Sequence, residues 1–131
     1  ISSIVVKETI ERGFAEKSDI YILDTAAGTH CDVVEALCVC DAALAVTEPT
    51  PFGEHDLRLI VKLIEEIGIP YRIVVNRSDI TDRKIQGASL EIPYDEKMVE
   101  CYAESTPIVV KYPEHGVSKK FNALADLVEK I

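Results

Sequence analysis

Apolar residues along this chain of 131 residues follow two different spacings, which predict an alternation of helices and strands. Helical spacing extends from Ser3 to Lys17 and from Gly53 to Ile67, where Gly68 follows as a stop signal. Short continuous apolar runs are typical of strands that are buried on both faces of a sheet. Four such strands are predicted, at Ile20–Leu23, Ala42–Val46, Arg72–Val75 and Ser89–Ile92.

Three further helices are predicted from capping residues. Asp32 is expected to cap a helix through about Val39, Asp95 one through about Glu104, and Ser118 a last one to Ile131. Strands that are apolar on both sides and alternate with helices indicate an α/β fold, a parallel sheet with helices on both faces. The length fits one domain, residues 1–131.

The charge balance is strongly acidic and excludes some partners. Fourteen basic against 23 acidic residues give a net charge of −9, which disfavours binding to nucleic acid or to anionic membranes. No apolar run approaches the roughly 18 residues of a membrane span, so a cytoplasmic protein is expected. The first residue is Ile1 and the only methionine is Met98, so we expect the chain to be part of a longer polypeptide.

The four cysteines match neither a disulfide framework nor a paired zinc motif. They are Cys31, Cys38, Cys40 and Cys101, each among apolar neighbours. Reduced thiols in the core are therefore expected. The alternative is an iron–sulfur role for Cys38 and Cys40, which would need thiolates from a second chain to complete four ligands.

In parallel sheets the chemistry lies at the carboxyl ends of the strands. The first predicted strand ends in Asp24, and small residues follow as far as Gly28 and Thr29. A carboxylate at this point can hold a magnesium ion through its waters, and a glycine lets a backbone N–H approach a phosphate oxygen. The alternative is that Asp24 only caps the following helix.

Two later strand ends carry groups that suit a nucleotide base. Asn76 offers a donor and an acceptor in one plane, as a purine requires, and the carboxylate of Asp79 would favour a guanine edge. The alternative is a polar turn, because Asn, Ser and Asp all favour turns. The segment Pro93–Asp95 follows the last predicted strand, where a proline before a capped helix is an adequate local explanation.

These segments together resemble the MinD/ParA group of P-loop ATPases. Ile20–Gly28 resembles their Walker B strand and switch II loop, with two alanines where proline is common. Val74–Asp79 resembles the Asn-Lys-x-Asp base-recognition motif, and Arg77 in place of Lys is common in the MinD-like branch and favours ATP. Ile92–Asp95 resembles an Ile-Pro-x-Asp segment that lines the adenine pocket through its backbone. The resemblance extends from about Asp19 to Tyr112 and is closest to MinD-like ATPases with an inserted ferredoxin domain.

The resemblance implies that residues 1–131 are the carboxyl-terminal half of a MinD-like nucleotide-binding domain. ATP and magnesium are then the expected cofactors, with Asp24 and Gly28 in catalysis and Asp24 on magnesium through water. The base-binding residues would be Asn76, Asp79, Pro93, Tyr94 and Asp95. Relatives imply a homodimer and a redox or iron–sulfur partner protein, with clusters only in the ferredoxin insert.

One element of that family is missing from the sequence. No Gly-x-x-x-x-Gly-Lys-Ser/Thr loop or its MinD variant occurs, and this loop supplies most of the phosphate-binding N–H groups. This chain alone is therefore not expected to hydrolyse ATP. The alternative function is a non-catalytic α/β regulatory or scaffold module without nucleotide.

Two predictions concern the path of the chain. In the family the P-loop strand lies between the first two predicted strands, so Ile20–Leu23 and Ala42–Val46 are not expected to pair directly. The connector from Asn76 to Ala88 has only Ile80 and Ile85 as large apolar residues. Either residues are missing near 85–90, or Ile80–Gln86 forms no more than two helical turns.

Overall fold

The structure of the chain, a computed structural model, describes residues 2–131 as a small parallel sheet flanked by helices. The elements are α1 (Ser2–Ala15), α2 (Cys31–Leu37), β1 (Ala43–Thr47), α3 (Pro51–Ile67), β2 (Tyr71–Asn76), β3 (Ala88–Ile92), α4 (Glu96–Ala103), α5 (Ile108–Lys111) and α6 (Gly116–Val128). The strands lie side by side in the order β1-β2-β3, and both pairs are parallel. The predicted α/β fold class is confirmed.

The sheet separates two apolar cores, so helices cover both of its faces. The first core joins the sheet to α2 and α3; its buried residues are Val33, Leu37, Ala43, Ala45, Leu57, Ile64, Ile73, Val75 and Ile85. The second joins it to the later helices; its buried residues are Val74, Ile92, Cys101, Ile108 and Val117. On the face of the sheet that carries the second core, no helix of residues 2–131 covers β1, and Val46 is 63% exposed there.

Capping explains where the helices begin. Thr50 caps α3 by accepting a hydrogen bond from Gly53 N at 3.0 Å, and Gly68 ends the helix with a φ of 85°. Asp95 caps α4 as predicted, accepting from Lys97 N at 2.9 Å. These contacts fix the helices that leave β1 and β3.

Two predicted caps are wrong. The N-cap of α2 is His30, and Asp32 lies in the first turn instead. The N-cap of α6 is His115, which accepts from Val117 N at 3.3 Å. Ser118 lies fully buried inside that helix, where its hydroxyl donates to Tyr112 O at 2.6 Å. The residue types favoured caps, but burial of Val117 and Ser118 under α5 determines where the helix begins.

The predicted strand at Ile20–Leu23 does not form. No ladder partner pairs with it within residues 2–131, and Ile20 and Ile22 are 62% and 88% exposed. A strand requires a neighbour to satisfy its backbone groups, and the apolar pattern alone cannot supply one. Because the segment forms no strand, the predicted separation between it and the β1 strand stays a prediction.

The connector between β2 and β3 has no helix, which agrees with the prediction of at most two helical turns for Ile80–Gln86. Ile85 is buried in the first core and anchors it. Gly87 adopts a φ of 79°, a conformation that favours glycine, just before β3 begins. Ile85 is thus the buried apolar contact between this connector and the first core.

The cysteines differ from the expected core thiols. Cys101 is buried, but Cys31 and Cys38 are exposed at the two ends of α2. Cys40 is half-buried and its thiol donates to Ala36 O at 3.2 Å. Burial, and the nearby Asp41 carboxylate, raise the pKa of the Cys40 thiol. Apolar neighbours in the sequence therefore accompany a buried thiol at Cys101 but exposed thiols at Cys31 and Cys38.

Across residues 2–131 none of the helices has both the length and the apolar character required to cross a bilayer.

Candidate functional site

A cavity of about 410 Å³ lies at the carboxyl ends of β2 and β3. It is lined by Asn76, Arg77, Ile92, Pro93, Tyr94, Asp95, Met98, Val99 and Tyr102. The structure therefore brings together four of the five residues that the sequence assigned to base binding. Because most of the wall is apolar and polar groups are few, the cavity has the character of a small-molecule site.

Asn76 is the last residue of β2, and its side chain points from the end of the strand toward this cavity. It is exposed, and within residues 2–131 its amide makes no side-chain hydrogen bond. A planar amide carries two donors and an acceptor. Asn76 is thus available to pair with a planar heterocycle that offers both kinds of group.

Asp79 does not line the cavity. Its Oδ1 accepts a hydrogen bond from the backbone N–H of Tyr94 at 2.7 Å. The neighbouring Ser78 N donates to Ile92 O at 3.0 Å. The loop after β2 is therefore fastened to the loop after β3 at two points, and Asp79 provides one of them.

The carboxylate of Asp95 is also engaged within the protein. One oxygen caps α4, and the other lies 3.5 Å from Nε2 of His115 at the start of α6. The two groups that it contacts, Lys97 N and the His115 ring, belong to α4 and to the N-cap of α6. Asp95 therefore shapes the rim of the cavity through its backbone and its position.

Arg77 forms another part of the rim of the cavity. In the sequence it was notable only because it stands in place of the lysine of the base-recognition motif. Its φ of 48° lies in the left-handed region, which residues other than glycine seldom adopt. The guanidinium lies 3.5 Å from Glu48 and 6.0 Å from the ring centroid of Tyr94. No sequence signal for this conformation exists, because arginine has no preference for it.

The loop after β1 joins the same edge of the sheet. Thr81 donates its hydroxyl to Pro49 O at 2.6 Å, and Arg83 forms an ion pair with Glu54 at 3.0 Å. Together with Arg77 and Glu48, these contacts bind the loop after β1 to the connector that follows β2. The three loops at the carboxyl edge therefore form one connected surface.

A cluster of charges braces α4, which forms one wall of the cavity. The Lys111 ammonium contacts the carboxylates of Glu100 and Glu104 at 2.5 Å each, and Tyr112 donates to Glu100 at 2.9 Å. Hydrogen bonds from Lys111 and Tyr112 lower the pKa of Glu100. The hydrogen bonds that Lys111 donates to Glu100 and Glu104 raise the pKa of Lys111, and the one that Tyr112 donates to Glu100 raises the pKa of Tyr112. Sequence spacing gave no sign of this cluster, because α5 itself was not predicted.

Asp24 lies elsewhere, beside a second cavity of about 280 Å³. This cavity is formed mainly by α1, α2 and the segment Ile22–Ala26. Gly28 lines neither cavity, and its φ of 103° is one that favours glycine. The structure therefore leaves Asp24 and Gly28 apart from the cavity that Asn76 lines.

A metal site built from several protein ligands is not found between residues 2 and 131, where no group of three His, Cys, Asp or Glu side chains converges. The exposed carboxylate of Asp24 suits the weaker arrangement, a magnesium ion held through its own waters. Among residues 2–131, Cys38 and Cys40 do not converge with a third His, Cys, Asp or Glu side chain.

Comparison with solved structures identifies a fold of the P-loop NTPase-like kind. The chain is similar to the cell division ATPase MinD of Pyrococcus furiosus, with a TM-score of 0.79 and 27% identity. The match covers 95% of this chain and 57% of that one.

Comparison with curated sequences gives a second similarity. The chain is 45% identical over 127 residues to an uncharacterized protein of Methanocaldococcus jannaschii. The match covers 97% of this chain but 43% of that protein, so the chain spans less than half the length of the curated relative. No protein-family model matches the chain.

Proposed function

We propose that this chain is the base-binding part of a MinD-type ATP-binding switch domain. The observation that carries the proposal is the 410 Å³ cavity, which gathers Asn76 and the Pro93–Asp95 segment at the carboxyl edge of the sheet. Asn76 would pair with adenine, and the backbone of Pro93–Asp95 would line one edge of the base. The similarity to a MinD ATPase over nearly the whole chain supports this assignment.

The proposed cofactors are ATP and magnesium. Asp24 would hold magnesium through its waters, and the backbone of Gly28, free of a side chain, would offer its N–H to a phosphate oxygen. When bound, the ion would neutralise phosphate charge. These two residues carry the proposed catalytic role, and Asn76 with Asp79 and Pro93–Asp95 carry the proposed base site.

The phosphate-binding loop would have to come from outside these residues, because the sequence has no Gly-x-x-x-x-Gly-Lys-Ser/Thr motif. The bare apolar side of β1 and the exposed residues Ile20 and Ile22 support an additional segment packing there. On this proposal residues 1–131 are the carboxyl-terminal half of a nucleotide-binding domain. The homodimer and the redox or iron–sulfur partner stay predictions from the resemblance.

Titration of the chain with adenosine monophosphate, followed by NMR chemical shifts, tests the base site. The wild-type chain is expected to bind with a dissociation constant on the order of 1 mM, because the phosphate contacts are lacking. Asn76→Ala removes the amide and is expected to weaken binding about fivefold, equivalent to about 1 kcal/mol.

The matched control is Asn122→Ala, which removes an exposed amide from α6 at a residue that does not line the cavity. It should leave the dissociation constant unchanged. A wild-type chain that shows no shifts with adenosine monophosphate would refute the base site and favour a regulatory or scaffold module.

A further inference from the structure

His115 is a titratable side chain that contacts two different helices. Its Nδ1 accepts a hydrogen bond from Val117 N at 3.3 Å, which caps α6, and its Nε2 lies 3.5 Å from Oδ2 of Asp95 at the start of α4. Asp95 also lines the cavity at the ends of β2 and β3. We propose that His115 is a pH-sensitive joint between α6 and this rim of the cavity. Proton uptake by its ring releases the first turn of α6 and strengthens the contact with Asp95.

The two contacts of His115 define the state of its ring. A neutral imidazole has one nitrogen that donates a hydrogen bond and one that accepts. Because Nδ1 accepts from Val117 N, the proton of the neutral ring lies on Nε2, the nitrogen that faces Asp95. The neutral ring therefore serves α6 as an acceptor and Asp95 as a donor.

Protonation of His115 changes the two contacts in opposite directions. A protonated imidazole carries a hydrogen on both nitrogens, so Nδ1 no longer accepts and faces the N–H of Val117 as a second donor. A positive ring is also unfavourable at the N-terminus of α6, which is the positive end of the helix dipole. At the same time the attraction between the ring and the Asp95 carboxylate increases. Proton uptake therefore moves the ring away from α6 and toward Asp95.

The other charged groups near His115 have partners of their own or are exposed. The charged and titratable groups on α6 near its N-cap and on the elements packed around it are Glu91 of β3, Asp95, Glu96, Lys97, Glu100 and Glu104 of α4, Lys111 and Tyr112 of α5 and its end, and Glu114, Lys119 and Lys120. Lys111 contacts Glu100 and Glu104, and Lys119 pairs with Glu114. Within residues 2–131 Asp95 is the carboxylate that makes the ion-pair contact with His115.

The release is confined to the first turn of α6. Val117 is 2% exposed in the second core, and the Ser118 hydroxyl donates to Tyr112 O at 2.6 Å, so packing keeps the rest of the helix in place. Asp95 keeps its cap on α4, because its Oδ1 accepts from Lys97 N while His115 contacts its Oδ2. Proton uptake at α6 therefore reaches the rim of the cavity without unfolding either helix.

Amide exchange of Val117, measured by NMR on the whole chain without nucleotide, tests the release. Histidine is the side chain whose charge changes between pH 5 and pH 8. The protection factor of the Val117 amide, which corrects for the intrinsic pH dependence of exchange, should be about fivefold lower at pH 5 than at pH 8. The Gly53 amide is the internal control, because its cap is the Thr50 hydroxyl, which does not titrate in this range. Its protection factor should be equal at both pH values.

The carbon NMR signal of the Asp95 carboxyl group tests the coupling to the rim of the cavity. In the wild-type chain this signal should show an inflection at the same pH as the ring nitrogens of His115, because the charge of the ring changes 3.5 Å from the carboxylate.

Two variants separate the cap from the titration. His115→Asn keeps an oxygen that can accept from Val117 N but does not titrate, so Val117 should be equally protected at both pH values and Asp95 should lose the inflection. His115→Ala removes the cap, so protection of Val117 should be low at both pH values. His55→Asn is the matched control, because it removes an exposed histidine from α3 and should preserve both wild-type responses.

Four results would overturn the inference. Two of them concern Val117: equal protection at pH 5 and pH 8 in the wild-type chain, or the same fall in His115→Asn as in the wild type. The third is a fall that the Gly53 amide shares, which would indicate general loosening of the fold. The fourth is an Asp95 signal that does not follow the titration of His115. Because no nucleotide enters the experiment, these results leave the proposed function to its own test.

Discussion

At the scale of single residues, Gly53 shows how tightly the loop after β1 is packed against the start of α3. Its N–H is bound by the Thr50 hydroxyl, and its carbonyl accepts from Thr47 Oγ1 at 2.9 Å. A Cβ at this position would overlap the carbonyl oxygen of Glu48 and lie 2.9 Å from Thr47 Oγ1. Backbone atoms on one side leave no room for relaxation, so only glycine fits.

Gly53→Ala is therefore expected to lower the free energy of unfolding by about 2 kcal/mol, through overpacking at the edge of the sheet. Chemical denaturation measures the change. Gly116→Ala is the control, because a Cβ there meets nothing within 4 Å. An equal effect of the two substitutions would contradict the close packing around Gly53.

Asn76 and Asp79 show how far the sequence alone could define the site. The position of Asn76 at the end of β2 was predictable, because a strand end is marked by the local apolar pattern; its role in base binding stays a prediction. The role of Asp79 was not predictable, because its partner Tyr94 lies 15 positions away and the contact exists only once β2 and β3 pair. The left-handed φ of Arg77 likewise follows from the packed loops and not from its residue type.

At the scale of elements, α4 and α5 are held together by the cluster around Lys111. Both carboxylates of the cluster lie on α4 or at its end, and Lys111 is the last residue of α5. The Lys97 ammonium adds a contact 4.5 Å from the Tyr112 ring centroid. Because Met98 and Val99 on α4 line the cavity at the ends of β2 and β3, this cluster supports the cavity wall.

The pKa shifts in this cluster define how its contribution changes with pH. The pKa of Glu100 is below its ordinary value of 4.5, so the stabilisation is present above pH 4.5 and is lost as the pH falls through the lowered value. The pKa of Lys111 is above its ordinary value of 10.5, so its contribution is lost only as the pH rises beyond 10.5. The pKa of Tyr112 is raised from its ordinary value of 10.0, so the contribution of the cluster is constant only between pH 4.5 and 10.0.

Lys111→Met should raise the pKa of Glu100 toward 4.5, because the larger of the two lowering hydrogen bonds is removed and that of Tyr112 remains. A carbon NMR titration of the carboxyl group measures it. Lys119→Met is the control, since Lys119 faces Glu114 on the surface at 3.5 Å. An unchanged Glu100 pKa in the Lys111 variant would contradict the cluster.

Helices and strands differ in how well the pattern predicted them. The long helix α3 was predictable because its apolar stripe and the stop at Gly68 are encoded locally. The segment Ile20–Leu23 has an equally apolar pattern but no pairing partner in residues 2–131, so it forms no strand. The four residues of α5 carry no periodicity of their own. They are held by the buried Ser118 hydroxyl, whose single proton is shared between Tyr112 O at 2.6 Å and Ile108 O at 3.2 Å.

At the scale of the whole molecule, Asn76 of the proposed base site and Asp24 of the proposed phosphate site line two different cavities, and Gly28 lines neither of them. The first lies at the ends of β2 and β3, and the second lies between α1, α2 and Asp24. Apolar side chains are also exposed on β1, at Val46, and in the segment before Asp24, at Ile22. On our proposal, a strand and phosphate loop from outside the chain would bring the Asp24 segment into the same nucleotide site.

The location of the adenine ring tests the central claim most directly. With adenosine monophosphate bound to the chain, intermolecular NMR contacts between the protons of the base and the side chains identify the cavity that holds it. We expect contacts from the base to the Met98 methyl group and to the rings of Tyr94 and Tyr102, all of which line the first cavity. Contacts to Val5, Ile22 or other residues of the second cavity, with none to Tyr94, would contradict the account.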